Sequence, residues 1–183
     1  MKLRSAFFAV VLLLLTVTVC AAQSPMGFSP DEFYTMFDSM NDSFVSVIDG
    51  FEVPDYIYYK GNEEEGAYIL NSGTLGIYML YSEDQVTELY LYYNYLSDDK
   101  EASDATFNMS LLTFATFWAV NQYKAGVDFD ALDMTEEIKE IASNYIQILF
   151  TEKPSNYWGY CFEPKSVEEN GYKEGVLYVT KAG

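Results

Sequence analysis

The sequence predicts one domain of α+β class, an antiparallel sheet packed against about three helices. Three observations carry this reading. A capped stripe of apolar residues at helical spacing opens the domain, tyrosine-rich segments of period two fill its middle, and two further helical stretches precede a last pair of strand-like runs. The expected order is α-β-β-β-β-α-α-β-β, with a four-strand meander and two C-terminal strands.

The first helix has clear edges. Ser29 is placed to cap, Pro30 suits the first helical position, and Glu32 completes a Ser-x-x-Glu capping box. Phe28 and Phe33 stand at the positions of a hydrophobic staple. Phe33, Phe37, Met40, Phe44 and Ile48 then follow at three- and four-residue steps up to Gly50, so the helix is expected from Pro30 to Ile48. From Asp55 to Leu96 the period changes to two. The runs YIYY, AYIL, TLGIYMLY and VTELYLYYNYL are separated by GNEEEG, NSG and SEDQ, the pattern of an antiparallel meander. Leu75, Ile77, Met79 and Tyr81 share one face of the third strand, and Leu89, Leu91 and Tyr93 share one face of the fourth. These are the expected core positions.

A second helix is expected from Ser103 to Tyr123 after the acidic stretch Asp98–Glu101. Almost no side of it is strongly polar between Met109 and Val120, which places it at the centre of the domain. A third is expected from Met134 to Phe150, with Ile138, Ile141, Tyr145 and Leu149 as its stripe and Asp133 with Glu136 as its capping pair. Strands at Tyr157–Phe162 and Gly175–Thr180 end the chain. A helix followed by an antiparallel meander resembles cystatin-like α+β folds, in topology alone and with no shared motif, so it carries no function.

The first 22 residues read as a removable signal peptide, leaving 23–183 as the domain. Lys2 and Arg4 precede an uncharged apolar run from Ala6 to Val19, and small residues follow at Ala21 and Ala22. The run falls short of the roughly 20 apolar residues of a membrane-spanning helix, and no transmembrane span is expected. The residues ending at Cys20 resemble part of the lipobox of bacterial lipoproteins, but Val19 stands where that pattern has Gly, Ala or Ser. A lipid anchor at Cys20 is not expected. The protein is therefore read as secreted or associated with the cell envelope.

Charge and composition then exclude whole classes of function. The chain carries 10 basic and 28 acidic residues, net −18, a sign that repels phosphate backbones and disfavours nucleic acid as a partner. It has no histidine, which excludes serine and cysteine triads and the histidine-based zinc hydrolase sites. Without Cys20, Cys161 is the single thiol; it can form no intrachain disulfide and reads as a small buried hydrophobe between aromatic residues. Two N-x-S/T sequons, at Asn41 and Asn108, fall within predicted helices. No cofactor is expected.

Three candidates for chemistry remain. Asp128, Asp130 and Asp133 lie close together, but an EF-hand loop begun at Asp128 would place Leu132 and Asp133 at its fifth and sixth positions and Lys139 at its twelfth, so no metal site is read there. Glu63, Glu64 and Glu65 read as a solvated hairpin tip. A carboxylate pair of glycoside-hydrolase type needs only two acids about 5–10 Å apart and no histidine, which makes a secreted histidine-free hydrolase the alternative function. No acid stands out as its catalytic residue. Glu88, the one acidic residue inside a predicted sheet strand, reads as solvent-facing. The third candidate is aromatic. If odd-numbered residues of the third and fourth strands face the core, Tyr78, Tyr90 and Tyr92 project from the other face, and Tyr56, Tyr58 and Tyr68 are candidates to join them. Such a platform suits proteins or sugar rings, and parity assigns these tyrosines the small stability cost of surface positions, about 0.5 kcal/mol each. The expected function is a non-catalytic binding protein with a protein or carbohydrate ligand. Whether helices cover the tyrosine face is left open by the sequence.

Overall fold

In the computed structural model, which describes residues 24–70, 75–151 and 153–183, the first helix begins where its capping signature puts it. Helix α1 spans Pro30–Val47. The Ser29 amide donates to Glu32 Oε2 at 2.7 Å, and the Glu32 amide donates to Ser29 Oγ at 3.2 Å. The Phe28 and Phe33 rings stack at 5.6 Å, so the staple forms as well. The proposed leader, its cleavage site and Cys20 lie outside the described residues, as does the NSG turn.

Strands β1 (Ile57–Lys60), β2 (Ala67–Leu70), β3 (Leu75–Ser82) and β4 (Gln85–Leu96) form the expected meander. Helices α2 (Lys100–Lys124) and α3 (Met134–Thr151) follow, joined through a 3-10 turn at Phe129–Ala131. Three strands rather than two close the chain: β5 (Ser155–Tyr157), β6 (Tyr160–Glu169) and β7 (Tyr172–Lys181). Trp158 and Gly159 have positive φ and turn the chain inside the run expected to be one strand. Asn170 and Gly171, also at positive φ, join β6 to β7. That Asn-Gly pair is the strongest short hairpin signal a sequence offers, and it extends both strands beyond their expected ends.

All seven strands belong to one antiparallel sheet in the order β1-β2-β3-β4-β7-β6-β5. The C-terminal hairpin thus extends the meander along its β4 edge. The odd-numbered residues of β3 and β4 face the core as parity requires: Ile77, Met79, Leu89 and Leu91 are fully buried. A bulge beside Leu80 shifts the register, so Val86, an even position, pairs with Tyr81 and also turns inward. Tyr93 packs at the core margin over Gly175. A Cβ built at Gly175 would collide with the Tyr93 ring and lie 2.7 Å from the Lys165 carbonyl oxygen, which explains a glycine inside β7.

Helix α2 is buried on every side over Met109–Val120, as its lack of a polar face predicts. Its buried hydroxyls are satisfied within the helix. Ser110, Thr113 and Thr116 donate to the carbonyls of Thr106, Met109 and Leu112 at 2.7, 2.7 and 2.8 Å. Phe117 sits among Phe28, Phe33, Tyr160 and Phe162, with ring centroids 4.8–5.7 Å away. Helix α3 buries Ile138, Ile141, Tyr145 and Ile148; Leu149, expected in this stripe, is partly exposed. The N-terminal segment is tied down too. Met26 and Phe28 exchange backbone hydrogen bonds with Val86 at 2.7 and 2.8 Å, and both side chains are buried. Among the described residues, no helix is long and apolar enough to cross a membrane.

Candidate functional site

Antiparallel register turns strand parity into a surface. Tyr59 of β1 lies opposite Tyr68 of β2, Tyr68 opposite Tyr78 of β3, Tyr78 opposite Tyr90 of β4, and Tyr90 opposite Tyr178 of β7. Five tyrosines on five adjacent strands form one cross-strand row, continued on β6 by Glu163. At about 4.8 Å between strands the row is roughly 19 Å long. Tyr59 stacks on Tyr68 at 4.9 Å, and Tyr90 on Tyr178 at 4.8 Å, while Tyr68 and Tyr78 are tilted at 6.0 Å. Beside this row, toward one end of the strands, run Ile57, Leu70, Gly76, Tyr92, Val176 and Lys165.

None of the five, nor Tyr92, belongs to the core cluster, whose buried helix side chains meet the opposite face of the sheet. Tyr59 and Tyr78 are 45% and 43% exposed, and Ile57 is more exposed still; Tyr68, Tyr90, Tyr92 and Tyr178 are half-buried by one another. Among the described residues the helices lie on one side of the sheet and the tyrosine row on the other. Tyr78, Tyr90, Tyr92 and Tyr68 all stand on this open face. Tyr56 and Tyr58 do not. Tyr58 pairs with inward Ile69, stacks on Tyr34 at 4.4 Å and donates to Asp31 at 2.6 Å, while Tyr56 packs on Phe37 and donates to Asp38 at 2.8 Å. Sequence reasoning missed Tyr59 and Tyr178. Inward Leu177 and Val179 mark Tyr178 as outward by the same alternation that marks Tyr78, but its place beside Tyr90 depends on pairing between distant segments.

Glu88 of β4 stands on this face among the rings. The hydroxyls of Tyr90 and Tyr178 both donate to its Oε2, the second at 3.1 Å. The other carboxylate oxygen takes neither bond. Partial burial raises the Glu88 pKa, and the Tyr178 hydrogen bond opposes that rise. Glu88 is thus half-covered by rings rather than freely solvated, and it is not alone among strand acids, because β6 and β7 carry Glu163, Glu168, Glu169 and Glu174. Burial also holds the Tyr78 hydroxyl above its ordinary pKa. For Tyr92 burial does so first and the Glu174 charge adds to it, so both hydroxyls remain donors at neutral pH. Cys161 lies on this side, opposite Thr180. It is half-buried rather than in the core, and burial followed by the Glu163 charge raises its thiol pKa, the opposite of an activated thiolate.

Several carboxylates elsewhere are engaged structurally. A cavity of about 300 Å³ beside α1 and α2 is lined by Asp31, Glu32 and Lys124 among others. Asp31 accepts from Lys60 at 2.7 Å and from Tyr58, which lowers its pKa, while Glu32 holds the cap of α1. Lys60 also reaches Asp84 at 2.7 Å. Asp31, its pKa lowered, is not the pKa-raised proton donor that a hydrolytic pair needs, and the Glu32 carboxylate is spent on the helix cap. Asp133 is used at the start of α3, where its Oδ1 accepts from the Thr135 amide at 3.1 Å. Among the described residues, no three acidic or cysteine side chains gather as a metal site would require. Asn108 lies within α2, its amide donating to the Glu52 carbonyl at 2.8 Å.

Comparison with protein-family models, with curated proteins and with solved structures finds no match for this chain.

Proposed function

We propose that this chain is a secreted, acidic, non-catalytic binding protein whose ligand docks on the tyrosine face of the sheet. The observation that carries the reading is the five-strand row Tyr59, Tyr68, Tyr78, Tyr90 and Tyr178 on the side away from the helices. A tyrosine offers a large, rigid apolar surface and a hydroxyl donor at low entropy cost, and a row of them on a sheet is held in place by backbone pairing before any ligand arrives. Half-exposed aromatic rings grouped on one face are the kind of patch that marks a binding surface in soluble domains. Export follows from the leader-like first 22 residues.

The test compares wild type with Tyr59→Ser/Tyr78→Ser, which removes the two most exposed rings of the row and leaves the charge unchanged. Each protein is immobilised and presented with an oligosaccharide panel and with a panel of synthetic peptides. A ligand held by wild type and released by the double variant supports the reading. Ligands held equally by both would place binding elsewhere and refute it.

A further inference from the structure

We infer that the tyrosine face takes a basic, arginine-bearing polypeptide segment in extended form; this rests on the reading of that face as the binding site and names its partner.

The argument is one of complementarity. The face combines aromatic rings with carboxylates: Glu88 lies under Tyr90 and Tyr178, Glu163 continues the tyrosine row, and Glu174 lies beside Tyr92. Lys165 shares the face, and it is already paired with Glu163 at 3.0 Å. Acidic tips stand at one end of the strands, where the Glu83 amide of the β3–β4 turn donates to Glu63 of the β1–β2 turn at 2.6 Å. At net −18, the whole chain steers cations toward itself and repels anions.

Arginine matches both parts of this surface. Its planar guanidinium stacks on tyrosine rings and forks onto carboxylates, whereas a lysine ammonium pairs with a carboxylate only as a point charge and cannot stack as a plane. The roughly 19 Å row is the length of about six residues of extended chain at about 3.3 Å each. Alternate side chains of such a segment all point to the same side, so arginines at every second position would all meet the rings. A second copy of this chain fits poorly. It would set Glu88 and Glu174 against their own duplicates, and its single arginine is Arg4, in the leader-like segment. A neutral sugar uses the rings but supplies no ionic partner to Glu88 or Glu174.

The probes are three synthetic octapeptides in which glycine alternates with arginine, lysine or glutamine, and a neutral oligosaccharide panel, titrated calorimetrically into folded protein. Wild type is expected to bind the arginine peptide best, the lysine peptide less well and the glutamine peptide not detectably, with affinity falling as salt rises. Tyr59→Ser/Tyr78→Ser, which keeps every charge, is expected to weaken the arginine peptide about tenfold through loss of two cation–π contacts. Glu88→Gln is expected to weaken it about fivefold, with circular dichroism confirming that both variants are folded. Arginine-peptide affinity unchanged in the tyrosine variant would reduce the attraction to net charge and overturn the inference. Tyrosine-dependent binding of an oligosaccharide, with none of the arginine peptide, would overturn it while leaving the face as the binding site. Binding of neither kind that depends on these tyrosines would overturn both.

Discussion

Replacing Tyr78, Tyr90 and Tyr92 together by serine separates an open sheet face from a covered one. Parity alone assigns these residues a surface cost, but the structure raises it. Tyr78 is 43% exposed, whereas Tyr90 and Tyr92 are half-buried, Tyr90 stacks on Tyr178 at 4.8 Å, and its hydroxyl bonds Glu88. Half of a buried aromatic side chain is about 75–125 Å², worth up to about 2–3 kcal/mol at 25 cal/mol per Å², and that area figure is an upper bound. Allowing about 1 kcal/mol for Tyr78 and about 2 for each of the others gives about 5 kcal/mol. In a domain of this size that is a fall in melting temperature of about 10–20 °C. The control is Ile77→Ala/Leu89→Ala/Leu91→Ala on the opposite face of the same strands, where each side chain is 0% exposed. At about 2–5 kcal/mol apiece this control loses about 6–15 kcal/mol, the whole stability of a typical domain. Circular dichroism melts and urea titrations read both. A serine variant as strongly destabilised as the Ile77/Leu89/Leu91 control would mean that the tyrosine face is covered core. A loss under about 1 kcal/mol would mean that the rings do not pack across the strands.

Other outcomes follow from single contacts. Ser29→Ala removes half of the capping box and is expected to cost about 1 kcal/mol, read as a shift of the urea midpoint at constant slope. Gly175→Ala drives a Cβ into Tyr93 and toward the Lys165 carbonyl, and is expected to cost about 1–3 kcal/mol; a neutral result would show that Tyr93 does not cover β7. Two carboxylates act on acid stability with opposite signs. Asp31 has a lowered pKa, first through Lys60 and then Tyr58, so its contribution is complete above the ordinary carboxylate value and lost as pH falls through its folded value; Asp31→Asn should flatten the acid limb of stability against pH. Glu88 has a raised pKa, chiefly from burial, so stability falls as pH rises from the ordinary value through the folded one; Glu88→Gln should be at least as stable as wild type at neutral pH, and a large loss there would contradict the burial argument.

The parts of this protein that local chemistry decides were legible in the sequence. Helix α1 announces its start in Ser29, Pro30 and Glu32 because caps are satisfied within one turn. The burial of α2 is written in its lack of a polar face, and the outward direction of Tyr78, Tyr90 and Tyr92 in an alternation two residues long. One local signal, Asn170-Gly171, was present and unused. Tertiary structure alone decided the rest. The register of the β1–β2 hairpin puts Tyr59 on the open face and turns Tyr58 onto α1, since a one-residue slip would exchange them. Docking of β7 against β4 pairs Tyr90 with Tyr178, closes the second hydroxyl onto Glu88 and sets Gly175 under Tyr93. Alternation tells a residue which way to point within its own strand, but the neighbour across the sheet is chosen by hydrogen bonds and core packing between segments far apart in the chain. The row of five tyrosines exists only because both were satisfied at once.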